Sequence, residues 1–470
     1  MMNSPSQAKL RATDLRDQYP EFVYESVSTE IVNGELSIGF EFSAGSDIHF
    51  APMMNVASPD AFSMASVNPR LLRNLAFHLG LIEMLSYWKA TCSPHIVIRA
   101  GFLGLEQVDW WKRLLIKGMG EFFYVNQVDF TAHDFVDIRV AAEDDVPSCD
   151  SQRTGNRILV LASGGKDSAL TLQLLREAGA DFNCLMLNPL PAALALVKEA
   201  GCDSPIIVKR AIDPRLLELN RLGYLNGHTP FSALLSFLGV TCALLFDYES
   251  VIVSNERSSN EGNVEYLGAQ VNHQYSKTFD FEQRFRDYSR KYLSQPVEYF
   301  SLLRPLYEIQ IAQMVSQYPR LLPVFKSCNR NQLAGTWCGS CPKCISVFTL
   351  FYPFLSREDL VSTFGRNYFE SESCIPLLKE LAGTHGHKPF ECVGTHDETI
   401  TALHLASMRA RREHGEPPVA LQFVEREILP LHPGVETLSK DVLCAWSAEH
   451  NLPVEYERLL RRRIADAGGG

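Results

Sequence analysis

Residues 163–168 read Ser-Gly-Gly-Lys-Asp-Ser, directly after the apolar run Ile-Leu-Val-Leu-Ala at 158–162. These residue types suit an anion. Two glycines without Cβ atoms let backbone N–H groups approach an oxyanion, and a helix starting at once adds the positive end of its dipole. The hydroxyls of Ser163 and Ser168 can donate to phosphate oxygens, Lys166 can neutralise charge, and Asp167 can hold Mg²⁺. The spacing is not that of the Walker loop, which sets four residues between its first glycine and Gly-Lys. A plain glycine turn would explain Gly164 and Gly165, but not the whole hexapeptide.

A second chemistry lies in Cys328, Cys338, Cys341 and Cys344. Two Cys-x-x-Cys steps share Cys341, and four thiols make the soft tetrahedral set that zinc prefers. Four such ligands leave no open coordination position, so a zinc there is expected to be structural. The other eight of the twelve cysteines are scattered. A third polar stretch is Ser-Asn-Glu-Arg-Ser-Ser-Asn-Glu-Gly-Asn at 254–263, followed by Val-Asn-His-Gln-Tyr-Ser-Lys at 271–277. It comes after a buried run, where open α/β sheets bind ligands.

The elements that must position these groups follow from pattern. Runs at 158–162, 183–187, 205–208 and 250–253 read as buried strands, alternating with helices at 167–178 and 192–200 and a long one from Pro230. Thr229-Pro230 reads as an N-cap with proline at the first helical position. Strand–helix alternation predicts an α/β fold with a doubly wound parallel sheet. Upstream, residues 1–150 read as an α+β domain, with strands at 35–42 and 95–99, a helix at 71–89, no chemical motif, and a polar linker at 142–156. The chemistry-bearing domain spans 151–350. Residues 351–470 form a mixed C-terminal extension with helices near 357–363 and 399–414 and a basic, frayed end at 461–463.

The hexapeptide resembles the PP-loop of the N-type ATP pyrophosphatases, which split ATP into AMP and pyrophosphate; followed by the cysteines, it resembles the 7-cyano-7-deazaguanine synthases. The segments at 254–263 and 271–277, together with Cys-Gly-Ser-Cys-Pro-Lys-Cys and Lys-Pro-Phe-Glu-Cys-Val-Gly-Thr at 388–395, narrow this. Together they resemble the MurL family, bacterial UDP-N-acetylmuramoyl-L-alanyl-L-glutamate epimerases. That resemblance implies a PP-loop fold and the substrates ATP and UDP-MurNAc-L-Ala-L-Glu. It also implies Mg²⁺, adenylation of a carboxylate, exchange of the α-proton, and hydrolysis to AMP and pyrophosphate. Epimerisation needs an acid/base group on each face or one mobile group. The matched motifs offer His273, Lys277, Tyr275, Glu256 and Cys392, with Lys166 and Asp167 at the phosphates. Arg257 and Lys209 are candidate partners for the α-phosphate or the substrate carboxylates.

Composition sets bounds on all this. Lys plus Arg total 44 against 55 acidic residues, a net charge of −11, which argues against a protein that binds nucleic acid through phosphate neutralisation. The clean apolar core of the helix from Pro230 is shorter than the ~20 residues of a membrane span, and the polar N-terminus lacks a signal core. A cytoplasmic enzyme is expected. The rival readings are a tRNA- or nucleobase-modifying PP-loop enzyme, or a regulatory nucleotide-binding protein without catalysis.

Overall fold

Short runs that are apolar at successive positions require strands covered on both faces. The computed structural model, which describes residues 10–57, 68–141, 156–293 and 297–468, meets that requirement in one large sheet. Its strands are β1 (Glu21–Val32), β2 (Glu35–Ala44), β3 (Ile48–Phe50), β4 (Met53–Ala57), β5 (His95–Ile98), β6 (Asp137–Val140), β7 (Arg157–Leu161), β8 (Phe182–Leu187), β9 (Ile206–Ala211), β10 (Tyr248–Val253) and β13 (Glu298–Ser301). A separate hairpin pairs β11 (Val264–Tyr266) with β12 (Ala269–Val271).

The sheet order is β13-β10-β7-β8-β9-β4-β2-β1-β5-β6, with β3 on β2. From β13 to β9 every pairing is parallel. Chain order runs one way from β7 through β9 and the other way through β10 to β13, so it reverses between β7 and β10. The expected doubly wound sheet is therefore present. β13 is a further parallel strand beyond the four the sequence suggests. The N-terminal strands, β1 to β6, do not form a sheet of their own. β4 pairs antiparallel with β9, carrying the hydrogen-bond ladder straight across.

Side chains of the parallel strands divide by parity. Leu159, Leu185, Val251 and Tyr299 join one core cluster, and their neighbours Val160, Cys184, Ile252 and Phe300 join the other. Helices Pro69–Trp88, Leu105–Gly118, Phe231–Leu245 and Phe279–Tyr288 cover the first face. Helices Lys166–Glu177, Glu308–Ser316, Pro342–Phe351 and the C-terminal helices cover the second.

Some expectations need correction. The helix after Thr229 starts at Phe231 with Pro230 as its N-cap and no side-chain cap bond, so Thr229 does not cap it. Among the described residues no strand follows β13, so the C-terminal extension is helical rather than mixed. The basic run at 461–463 is not frayed. Residues 454–468 form one helix, in which Arg461 pairs with Glu457 at 2.9 Å and Arg463 pairs with Glu177. The linker expected at 142–156 falls, but for Asn156, outside the described residues. No helix among the described residues is long and apolar enough to cross a membrane.

Candidate active site

The turn at 163–168 leaves β7, and the segment from Ser254 leaves β10, on either side of the reversal in strand order. That is where doubly wound sheets open a ligand crevice. Ser163 Oγ and Ser168 Oγ lie 3.0 Å apart, and the Ser163 N–H donates to Ser168 Oγ at 2.9 Å. Gly165 is the N-cap of the helix at φ −89°, so the glycines are not needed for a left-handed backbone. They are needed for closeness: a Cβ on Gly164 would lie 3.3 Å from backbone atoms of Ala193, and one on Gly165 3.1 Å from Ser327 Oγ.

Lys166 turns inward. Its side chain is fully buried, with Nζ 2.5 Å from Asp167 Oδ1 and 3.0 Å from Glu308 Oε2. Burial alone would lower its pKa, but Asp167, Glu308 and Glu256 overcome this and raise it. Glu308, on the helix Glu308–Ser316, is held well below the usual carboxylate range; burial opposes this, and the charges of Lys166 and Lys343 prevail. Glu256 is pushed up to about 7, by burial first, then against Lys277 by the charges of Asp167 and Glu308.

Beyond β10, the matched motif segments clasp one another. Arg304, itself fully buried, donates to the carbonyl of Glu256 at 2.8 Å and to that of Lys277 at 2.5 Å, and pairs with Glu282 at 3.1 Å. Such a buried pair is costly to break from one side, because the remaining charge is stranded. Asn263 accepts from the His273 N–H at 2.8 Å and donates to the Pro389 carbonyl at 2.7 Å. Lys388 reaches Glu261 at 3.1 Å.

The result is that Cys392, on the 388–395 segment, meets Lys277. Lys277 Nζ donates to Cys392 Sγ at 3.2 Å, and His273 acts electrostatically on the same thiol. Burial would raise the thiol's pKa, but the Lys277 charge and the neighbouring His273 bring it down to about 6. His273 moves the opposite way: burial opposes its charge, yet the neighbouring Cys392 and Glu121 raise it to about 9. Lys277 is raised too, against burial, by Cys392, Glu256 and Asp167, which joins the thiol electrostatically to the Ser163–Ser168 turn. The thiol and the two cationic groups thus favour one another's charged forms.

The four cysteines converge, their sulfurs all within 4.8 Å of one another. Cys341 caps the helix Pro342–Phe351, its sulfur accepting from the Cys344 N–H at 3.4 Å, while the Asn331 N–H points at Cys328 Sγ at 3.3 Å. Backbone N–H groups aimed at sulfurs suit thiolates, and the set could hold zinc. Gly339, in the first Cys-x-x-Cys step, sits at φ +65°, where a side chain would be strained. Between two of the cysteines, Lys343 extends to the Cys392 carbonyl and its own N–H donates to Glu391 Oε2 at 2.8 Å.

Other candidates lie elsewhere. Tyr275 is buried, its hydroxyl given to Asp280 at 3.0 Å. Arg257 stacks over the Tyr307 ring at 4.5 Å, and Lys209 is exposed on β9 opposite Asn55. Four residues at the site went unread in the sequence. Lys343 was visible inside the cysteine motif, and His228 lies just before the Phe231–Leu245 helix; Glu308 and Glu121 carry no local signal.

The fold and site define a doubly wound α/β chain with a glycine-rich turn at its switch point and buried lysine–carboxylate pairs beside it. Residues 13–302 match the family model described as MurL N-terminal domain, and residues 324–428 match that described as MurL C-terminal domain. The chain belongs to the MurL family, and it is an isomerase of the epimerase type. It is 33% identical over 461 residues to a protein of Xanthomonas oryzae pv. oryzae, covering 96% of this chain and 99% of that one. A Micromonospora protein is 31% identical, covering 93% and 97%, and one from Salinispora tropica 32%, covering 82% and 84%. All three are named UDP-N-acetyl-alpha-D-muramoyl-L-alanyl-L-glutamate epimerase.

Proposed function

We propose that this chain inverts the terminal L-Glu of UDP-MurNAc-L-Ala-L-Glu to D-Glu in peptidoglycan precursor synthesis, using ATP to activate the α-carboxylate. The observation that carries the reading is a chain of contacts: Lys166 joins Asp167, on the glycine-rich turn, to Glu308, Glu308 lies 3.8 Å from Lys343, and Lys343 reaches the Cys392 carbonyl. A carboxylate resists loss of the neighbouring α-proton, because a second negative charge would form beside the first. Adenylation removes that first charge, and donors placed at the developing enolate lower the barrier further.

In this reading the turn formed by Ser163, Gly164, Gly165 and Ser168 receives the phosphates. Lys166 and Asp167 serve the charge around them. Asp167 would hold Mg²⁺, which supplies charge neutralisation at the phosphates. The Cys392 thiolate removes the α-proton, while protonated Lys277 and His273 stabilise the enolate and return a proton. Water then releases the D-Glu product and AMP. The four cysteines would hold a structural zinc, whose knuckle carries Lys343 to the Cys392 carbonyl on the 388–395 segment.

Turnover in D₂O tests the proton step. The D-Glu product is expected to carry deuterium at its α-carbon. Full retention of the original proton, both in D₂O and from α-deuterated substrate in H₂O, would reject this base chemistry.

A further inference from the structure

The N-terminal region carries no motif, yet one of its side chains reaches the site. Glu121 lies in the short helix Gly120–Val125, and its Oε2 contacts His273 Nδ1. We propose that Glu121 is a positioning residue, completing a Glu121–His273–Cys392 triad in which the N-terminal half of the chain orients the imidazole that serves the thiol. This rests on the reading of Cys392 as the base.

The geometry supports the Glu121–His273 link, and Lys277 places the Cys392 sulfur beside it. The His273 backbone is already fixed by Asn263, which also grips the backbone near Cys392 through Pro389. What remains free is the rotation of the ring. With Nδ1 committed to Glu121, the second ring nitrogen is left for the sulfur, the arrangement by which an orienting carboxylate sustains an imidazole in nucleophile–base–carboxylate sites. The Glu121 and His273 side chains are each only 16% exposed, so water competes weakly for the contact. Close packing fixes the carboxylate's origin as well: a Cβ on Gly120 would lie 3.3 Å from Val271 Cγ1, so the helix start sits directly on the strand that leads to His273.

His228 buttresses the ring, with centroids 4.3 Å apart, and its Nδ1 lies 3.7 Å from the same Glu121 oxygen. It stays neutral, because burial, His273, Lys89 and Lys277 push its pKa down to about 3. It therefore does not compete as a cation for Glu121. The titratable groups around the triad are then Lys89 and the neutral His228, together with Lys277, Lys343 and Glu256.

The test is the pH dependence of Cys392 alkylation by iodoacetamide, followed by peptide mapping on the full-length protein. Wild type is expected to show an inflection near 6. E121Q, near in size but uncharged, should move that inflection upward and lower kcat about ten-fold or more with little change in KM, as loss of such an orienting partner typically does. E121D, one methylene shorter, should shift it the same way but less, and it decides the matter if E121Q is insoluble. An unchanged inflection and unchanged kcat in the soluble variants overturns the proposal. So does a second bound divalent ion, beyond that of the cysteines, which is lost in E121Q: the ligand atoms of Glu121, His228 and His273 lie within 4.8 Å of one another and would then be a metal site. A wild-type inflection near the ordinary thiol value of about 8.5 would instead remove Cys392 as the base, a separate failure.

Discussion

Cys392 is one of twelve cysteines and nothing in its immediate neighbours marks it as reactive. Its character comes from Lys277, 115 residues earlier in the chain, and from His273. The residue types at the site were legible as candidates, but the pairings were not, since a local motif carries no information on which distant motif it meets. The two shifts predict a bell-shaped rate profile. Activity should rise as pH passes about 6, where the thiol ionises, and fall as it passes about 9, where His273 loses its proton. Initial rates between pH 5 and 10 check this, and C392S should lower kcat by about 10²–10⁴-fold, the usual contribution of a positioned acid/base group. Asp167→Asn is expected to abolish AMP formation while circular dichroism stays that of the wild type; near-normal ATP turnover would show that the carboxylate does not serve the phosphates.

Elements place these residues, and most were readable from period alone. The strands at β7, β8 and β10 and their helices appear within a residue or two of expectation because both faces are apolar and turn residues punctuate them. Four-residue β13 was missed, since Glu-Tyr-Phe-Ser alternates too briefly to stand out from a loop. The cysteine knuckle is an element of its own. Cys341→Ser should lower bound zinc and soluble yield together, because one lost ligand uncouples metal binding from folding; wild-type protein without zinc on metal analysis would contradict this. The helix Pro69–Trp88 offers a purely steric check. At Gly80 an added Cβ would fall 1.8 Å from the Tyr24 hydroxyl on β1. Gly80→Ala should therefore cost about 1–3 kcal/mol in denaturant midpoint analysis, the scale of overpacking a filled core.

At the scale of the whole molecule the N-terminal region and the glycine-rich half share one sheet through β4 and β9. That junction was not legible, because antiparallel pairing of two short strands so distant in sequence leaves no pattern in either. It has a consequence for function: the same half that continues the sheet delivers Glu121 to His273, so the site is built from both halves of the chain. The coupling of ATP cleavage to inversion is the claim on which this account stands. Purified protein given UDP-MurNAc-L-Ala-L-Glu, ATP and Mg²⁺ should release AMP and pyrophosphate in step with D-Glu product, with no AMP released when free glutamate replaces the dipeptide substrate. Formation of the D-Glu product at full rate without ATP would contradict it.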